Sequence, residues 1–365
     1  MRLVLNGRFL GRPITGVERV AIQLTQALRR VLTTKLGDRG DVDVLVPTNP
    51  LDLADALGAL GLTPPKVTKV GHRHGHAWEQ MDLPRARTDA WLLSLCNMGP
   101  MTRRKQAVII HDTLFIDHPE SFSRTFRLWY RMVLTILSRR ARVVFTVSQY
   151  SKNCLEKHRV VPQGKAHVLR LGVDHLHHID ADTTILQRIG VHPHRYILAM
   201  GSLARHKNVA TLINAFIDAD LDNIDLVIAG GGNPKIFRDA GLREAPNVCY
   251  TGRITDEELK ALYAQAMAFA CPSISEGFGL PPLEAMTFGC PVIATTGGAV
   301  PEVCGGAALY ADPHDQDAWR DAIIRLVADP ALRVQLGEQA RDRASQFTWL
   351  NAATQMFDVL NGLEQ

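Results

Sequence analysis

Short β-branched or leucine-rich runs alternate with amphipathic stretches from one end of the chain to the other. In the first half, residues 2–6, 42–46, 91–95, 107–111 and 142–147 read as strands, and 17–36, 51–60, 123–140 and 150–158 carry helical periodicity. The pattern then restarts, with strands at 196–200, 224–229, 248–251, 268–272 and 291–295 and helices at 208–219, 256–265, 283–288 and 316–328. Repeated strand-helix units build a largely parallel sheet covered on both faces. The expected fold class is therefore α/β, with two doubly wound, Rossmann-like domains facing a central cleft, at residues 1–174 and 194–348. Residues 175–193, rich in His and Asp and poor in apolar pattern, read as a linker. A last helix at 349–365, with Trp349, Leu350, Met356, Phe357 and Leu360 at helical spacing, is expected to cross back to the first domain. Doubly wound sheets take ligands at the carboxyl ends of their strands, so the strand-to-helix loops should carry the chemistry.

Composition narrows the class further. A length of 365 residues suits two domains, and 46% hydrophobic with 21% charged residues is an ordinary globular mixture. No apolar run approaches the roughly 18 residues that span a bilayer, and the first residues lack a signal-peptide core, so a cytoplasmic protein is expected. The six cysteines are scattered without a C-x-x-C pair, which argues against zinc ribbons and a disulfide framework.

Charge is split unevenly. Residues 1–170 hold 27 Lys and Arg against 13 Asp and Glu, whereas residues 171–365 hold 14 against 24. The basic half contains Ser121-Phe-Ser-Arg-Thr-Phe-Arg-Leu-Trp-Tyr-Arg131, where Phe122, Phe126, Trp129 and Tyr130 interleave with Arg124, Arg127 and Arg131. That composition fits either peripheral contact with an anionic membrane, on the inner face of the cytoplasmic membrane, or a core helix with a solvated basic edge. Nucleic acid is not expected, because the acidic half would oppose a long polyanion.

The most informative segment is Glu276-Gly-Phe-Gly-Leu-Pro-Pro-Leu-Glu284, between the strand at 268–272 and the helix at 283–288. One carboxylate falls in the loop and the other in the first turn of the helix, so they can address different parts of one ligand. Gly277 and Gly279 allow close backbone approach, and amides at a helix start favour an anion such as a diphosphate. Pro281 and Pro282 cannot donate, so the amides must come from Gly277, Phe278, Gly279, Leu280 and Leu283. Other segments carry less. His72-Arg-His-Gly-His76 lacks a carboxylate or cysteine partner at a metal-site spacing. Asp41-Val-Asp43, Asp220-Leu-Asp222 and Asp315-Gln-Asp317 sit as surface acids would, so no metal is expected. Gly230-Gly-Gly232 does not complete the G-x-G-x-x-G of a dinucleotide site.

The whole chain then resembles the retaining GT-B glycosyltransferases of the family-4 type (glycosyltransferase group 1), whose E-x7-E motif has the form of Glu276 to Glu284. Within that family it is similar to bacterial exopolysaccharide mannosyl- and hexosyltransferases. Supporting segments, in order, are Thr15-Gly-Val-Glu-Arg19, His111-Asp112, Thr146-Val-Ser148, Leu171-Gly-Val-Asp174, Gly201-Ser-Leu-Ala-Arg-His-Lys-Asn208, Thr251-Gly-Arg253 and Gly297-Gly-Ala-Val-Pro-Glu302. The resemblance implies that Glu276 holds donor-sugar hydroxyls, Glu284 the nucleotide ribose, and Lys207 the donor diphosphate. It implies that His111 contacts the donor sugar near the reacting carbon, with Asp112 orienting its ring or an acceptor hydroxyl, and that Gly16 brings backbone close to donor or acceptor. Ser202 stands where many relatives have an arginine after the glycine, and His206 where others have one before the lysine. Arg205 is the available substitute, and Arg253 can also be aimed at phosphates.

The implied activity is transfer of a hexose, with mannose from GDP-mannose first and UDP-glucose or UDP-galactose next, to a glycan or polyprenyl-diphosphate-linked acceptor. No cofactor is implied beyond the nucleotide-sugar co-substrate. A sugar-nucleotide 2-epimerase and a non-catalytic sugar-nucleotide sensor are the alternatives on the same architecture.

Overall fold

A computed structural model describes every residue except 1, 13, 38–41, 49–66, 203, 232–241, 244 and 365. The expected helix at 51–60 and the end of the Gly230 glycine run lie outside the described residues. The chain divides into two compact units, Met1–Gly172 with Thr348–Gln365, and Val173–Phe347.

The first unit is built on seven parallel strands: β1 (Leu3–Asn6), β2 (Val42–Val46), β3 (Val67–Lys69), β4 (Trp91–Ser94), β5 (Gln106–Ile109), β6 (Val143–Thr146) and β7 (Ala166–Val168), in the order β3-β2-β1-β4-β5-β6-β7. Every residue of β1, β2, β4, β5 and β6 is buried, because helices cover both faces of a parallel sheet. The covering helices are α1 (Gly16–Leu36), α2 (Gly75–Met81), α3 (Arg124–Arg140) and α4 (Gln149–Lys157), with the C-terminal helix Trp349–Gly362 packed on α1. The latter buries Trp349, Ala352, Ala353, Met356, Phe357 and Leu360, a spacing of three and four that places them on one face.

The second unit carries β8 (Tyr196–Met200), β9 (Asp225–Ala229), β10 (Val248–Gly252), β11 (Ala268–Cys271), β12 (Val292–Thr295) and β13 (Leu309–Ala311), all parallel, in the order β10-β9-β8-β11-β12-β13. Its helices are α5 (Thr184–Ile189), α6 (Val209–Asp218), α7 (Asp256–Gln265), α8 (Leu280–Thr287), α9 (Val300–Cys304), α10 (Gln316–Ala328) and α11 (Pro330–Ala344). Residues 175–193, expected as a linker, are instead part of this unit. Leu176, Ile185 and Leu186 are buried there, and α5 packs on α7. The segment reads as polar because short helices with few apolar contacts leave little periodic pattern. The strand order reverses between β8 and β11, whose parallel register aligns Ile197 with Ala268. This is the topological switch point at which doubly wound sheets bind ligands.

Candidate active site

At the switch point, the loops after β8 and β11 are joined side by side. Asn208, in the left-handed region at φ 53°, donates through Nδ2 to the carbonyls of Pro272 at 3.1 Å and Pro313 at 2.6 Å. The Ile274 amide donates to the His206 carbonyl at 2.7 Å. These cross-links place Lys207 and Glu276 together, with Lys207 Nζ donating to Glu276 Oε1 at 2.7 Å and the Ser273 hydroxyl donating to the same oxygen at 2.6 Å. Burial pushes the Glu276 carboxyl up, but the Lys207 ammonium and the Lys207 and Ser273 hydrogen bonds outweigh this and hold it below the usual carboxylate value. The residue is therefore an anion at neutral pH, able to accept hydroxyl hydrogens.

A third loop packs on the backbone of the same residue. After β12, the Ala299 amide donates to the Glu276 carbonyl at 2.9 Å. A Cβ at Gly298, where φ is 66°, would lie 2.4 Å from the Glu276 nitrogen, and one at Gly297 would lie 2.1 Å from the Ile274 oxygen. Only glycine allows this approach.

Helix α8 begins at Leu280, three residues before the expected start, because Pro281 and Pro282 fit its first turn, where no amide is required. Its N-cap, Gly279, has φ 103°. The ring of Phe278 is buried edge-on against Phe347, so of this residue only the backbone can face a ligand. Glu284 is the fifth helical residue and does not share the environment of Glu276. Its Oε2 accepts the Tyr263 hydroxyl at 3.0 Å, and its Oε1 lies 3.4 Å from His175 Nε2. Sequence reasoning missed both partners. His175 directly follows the Leu171-Gly-Val-Asp174 segment, whereas Tyr263 reads as an ordinary core aromatic of an amphipathic helix.

The remaining loop positions separate by exposure. Arg205 is exposed, His206 is buried with its carbonyl spent on Ile274, and Arg253 is exposed. The Ser202 hydroxyl accepts the Ala204 amide at 3.4 Å.

In the first unit, His111 and Asp112 follow β5, and Gly16 lies where the connection from β1 meets α1. His111 is buried, its amide donating to Asn97 Oδ1 at 2.8 Å and its Nε2 lying 2.9 Å from the Leu95 carbonyl. A carbonyl only accepts, so Nε2 carries the proton. Burial lowers the pKa of the ring, against the Leu95 carbonyl and the Glu18 charge, which favour protonation, leaving it neutral near pH 7. Asp112 Oδ1 accepts the Leu114 amide at 3.0 Å, at the start of the one-turn helix Leu114–Asp117. Gly16 opens α1, and a Cβ there would meet nothing within 4 Å. Beside it, Thr15 and Glu18 form a capping box, and Glu18 is buried. Glu18 is a further polar group that the Thr15-x-x-Glu18 spacing could have flagged. In the His72 to His76 segment, Gly75 starts α2, and the His76 ring lies 3.5 Å from Glu79 and edge-on to Trp129.

Comparison with known proteins follows this division. Residues 184–343 match the family of glycosyl transferases group 1. The chain is 31% identical over 230 residues to the O-antigen chain mannosyltransferase B of Escherichia coli, a match covering 60% of each chain. It is 26% identical to the O-antigen chain mannosyltransferase RfbU of Salmonella typhimurium over 88% of this chain and 90% of that one. Among solved structures, Anabaena HepE in complex with UDP and glucose superposes with a TM-score of 0.77 over 99% of this chain and 100% of its own, at 19% identity. WaaG, a glycosyltransferase involved in lipopolysaccharide biosynthesis, gives 0.67 over 99% and 98%, at 18% identity. Those likenesses place both sheets in the GT-B architecture. Through its second unit, which carries the matched residues and the Lys207–Glu276 pair, the chain is similar to the group 1 glycosyl transferases.

Proposed function

We propose that the chain is a retaining, metal-independent hexosyltransferase that moves mannose from GDP-mannose to a hydroxyl of a glycan or polyprenyl-diphosphate-linked acceptor. The observation that carries the reading is the Lys207–Glu276 pair at the switch point of the second sheet. Glu276, held anionic, accepts donor-sugar hydroxyls. Lys207 turns to the diphosphate and stabilises the charge that appears on the leaving oxygen as the sugar-phosphate bond breaks. Amides from Gly277 to Leu280 add donors, Arg205 is the exposed cation of the neighbouring loop, and Glu284 addresses the ribose from its His175 and Tyr263 setting. The departing phosphate oxygen takes the proton of the acceptor hydroxyl as the new bond forms on the face that the diphosphate leaves.

Mannose is favoured by two mannosyltransferase relatives, whereas the HepE complex with UDP and glucose favours a UDP-linked donor as the second reading. Metal independence rests on the partners that three of the Asp-x-Asp acids hold, Asp41 lying outside the described residues. Asp43 pairs with Arg87 at 2.5 Å, Asp315 caps α10, and Asp317 pairs with Arg320 at 2.5 Å.

The test is a panel of nucleotide sugars, first by thermal shift and then by transfer in excess EDTA. At about 100 Kd the true donor should add roughly 2.7 kcal/mol to stability. GDP-mannose is expected to stabilise most and to turn over with a glycan acceptor despite the chelator. Epimerised product without acceptor would assign an epimerase, and binding without turnover a sensor. Loss of activity in EDTA with rescue by magnesium would overturn the metal-independent mechanism.

A further inference from the structure

The second unit carries a recess of about 460 Å³ that the proposed transfer does not use. It lies at the amino-terminal edge of the second sheet, where Met267 and Pro291 lead into β11 and β12. Lys207 and Glu276 follow the opposite, carboxyl ends of β8 and β11. The volume is in the range of about 300 to 1,000 Å³ usual for small-molecule sites. One wall is α11, which packs on the end of α8 so closely that a Cβ at Gly337 would lie 2.7 Å from the Gly289 oxygen. Arg333 and Arg341 stand four residues to either side of Gly337, so two cations on one stripe of the helix straddle this contact.

Each guanidinium is anchored by a single nitrogen. Arg333 Nη1 donates to the carbonyls of Leu326 and Val327, both at 2.7 Å, at the end of α10. Arg341 Nη2 donates to the Phe288 carbonyl at 3.4 Å, and its guanidinium lies on the backbone of Gly289, where a Cβ would fall 2.3 Å from Cζ. Anchored on different elements, and two turns or about 12 Å apart along the helix, the two cations do not converge on one point. Among the described residues, neither Arg333, nor Arg341, nor Glu338, the carboxylate of the recess, is in an ion pair. An arginine held by one nitrogen keeps its other donors in a fixed fork for an oxyanion. Val334, 63% exposed, and half-buried Met267 supply apolar wall.

We propose that the recess binds a polyol carrying two phosphates, a ligand of the hexose bisphosphate class, and that its occupancy tunes nucleotide binding. Arg333 and Arg341 each take one phosphate, Glu338 accepts hydroxyl hydrogens of the body, and Met267 and Val334 cover its carbon skeleton. Two cations held apart match two phosphates joined by a spacer, and a carboxylate between them in the helix matches hydroxyls rather than a third anion. The route to the nucleotide is Phe288, whose carbonyl Arg341 holds. Its ring stacks on Tyr263 with centroids 6.2 Å apart, and the Tyr263 hydroxyl donates to Glu284. This coupling rests on the reading in which Glu284 serves the ribose, whereas the binding site does not.

The experiment is calorimetric titration of the full chain with fructose 1,6-bisphosphate, glucose 6-phosphate and inorganic phosphate. The bisphosphate should bind at least about tenfold tighter than either of the others. Arg341→Gln and Val334→Glu, both at exposed positions, should keep the wild-type melting temperature and lose about tenfold or more of that affinity. Lys207→Ala should retain it. Saturating bisphosphate should change the GDP Kd at least about fivefold in the wild type and leave it unchanged in Arg341→Gln. Absence of bisphosphate binding, equally tight binding of glucose 6-phosphate, or wild-type affinity in both recess variants overturns the site. A GDP Kd that the bisphosphate leaves unchanged in the wild type overturns the coupling. If neither GDP nor UDP binds the wild type, the transferase reading falls and the coupling with it, while the site is still decided by the bisphosphate titrations.

Discussion

Lys207 and Glu276 are 69 positions apart in sequence, yet their ammonium and carboxylate meet at 2.7 Å. Parallel pairing of β8 with β11 brings them together, because it starts both following loops at the same edge of the sheet. Within this unit the cation and anion compensate each other, and Ser273 fixes which oxygen is shared. A bound diphosphate can then draw Lys207 away while hydroxyls of the sugar replace it on Glu276. Under the proposed function, the pair supplies one charge to each half of a nucleotide sugar.

Lys207→Ala is expected to lower turnover by about 10² to 10³, the usual cost of removing one preorganised charge donor from a transition state. Lys207→Arg should recover part of the loss, since it keeps the charge but changes its shape. Steady-state transfer assays on both variants check this. A Lys207→Ala enzyme with wild-type turnover would remove the residue from the mechanism.

The lowered pKa of Glu276 makes a signed claim about acid. A carboxyl whose folded pKa lies below its unfolded value near 4.5 contributes stability above that value and loses it as pH falls through the folded pKa. Melting temperature should therefore fall below about pH 4.5. In Glu276→Gln the fall over the same window should be shallower. Parallel pH profiles for the two proteins would show that the ion pair contributes nothing to stability.

Tyr263→Phe deletes one hydroxyl and leaves Glu284 Oε2, inside the unit, without that donor. A hydrogen bond to a charged group is typically worth about 1.5 to 3 kcal/mol, so a lower melting temperature is expected. GDP affinity should also weaken if Glu284 serves the ribose, because the carboxylate is no longer fixed on two sides. Calorimetric titration of GDP into the variant is the check, and unchanged affinity would detach Glu284 from the nucleotide.

These relationships were unequally legible in the sequence. The central strands announce themselves because both faces are buried, so runs such as Leu92-Leu93 and Val143-Val144-Phe145 are uninterrupted. The outer strands β3, β7 and β13 have only three residues each and mixed exposure, too little for a period or a run. Helix α11 was missed for a related reason, since its apolar residues are few and spread around the axis. At the site, Glu276 and Glu284 were visible through their glycine and proline setting. Ser273, Asn208 and Tyr263 were not, because their roles come from contacts with residues 3, 64 and 21 positions away and leave no local pattern.

The glycine pair after β12 gives the most stringent geometric test. A methyl group at Gly298 would fall 2.4 Å from the Glu276 nitrogen and 2.8 Å from its oxygen, both backbone atoms that cannot rotate aside. Its φ of 66° adds a conformation that L side chains rarely adopt. Gly298→Ala should therefore shift the loop that aims Glu276 and lower donor affinity together with stability, by about 1 to 3 kcal/mol for the latter. Gly306→Ala is the control, because a Cβ there meets nothing within 4 Å, and it should stay within about 0.5 kcal/mol of wild type. Melting curves and nucleotide-sugar titrations of the two variants side by side decide the matter. If Gly298→Ala matches Gly306→Ala in both, the close packing of this loop on Glu276 is not what shapes the site.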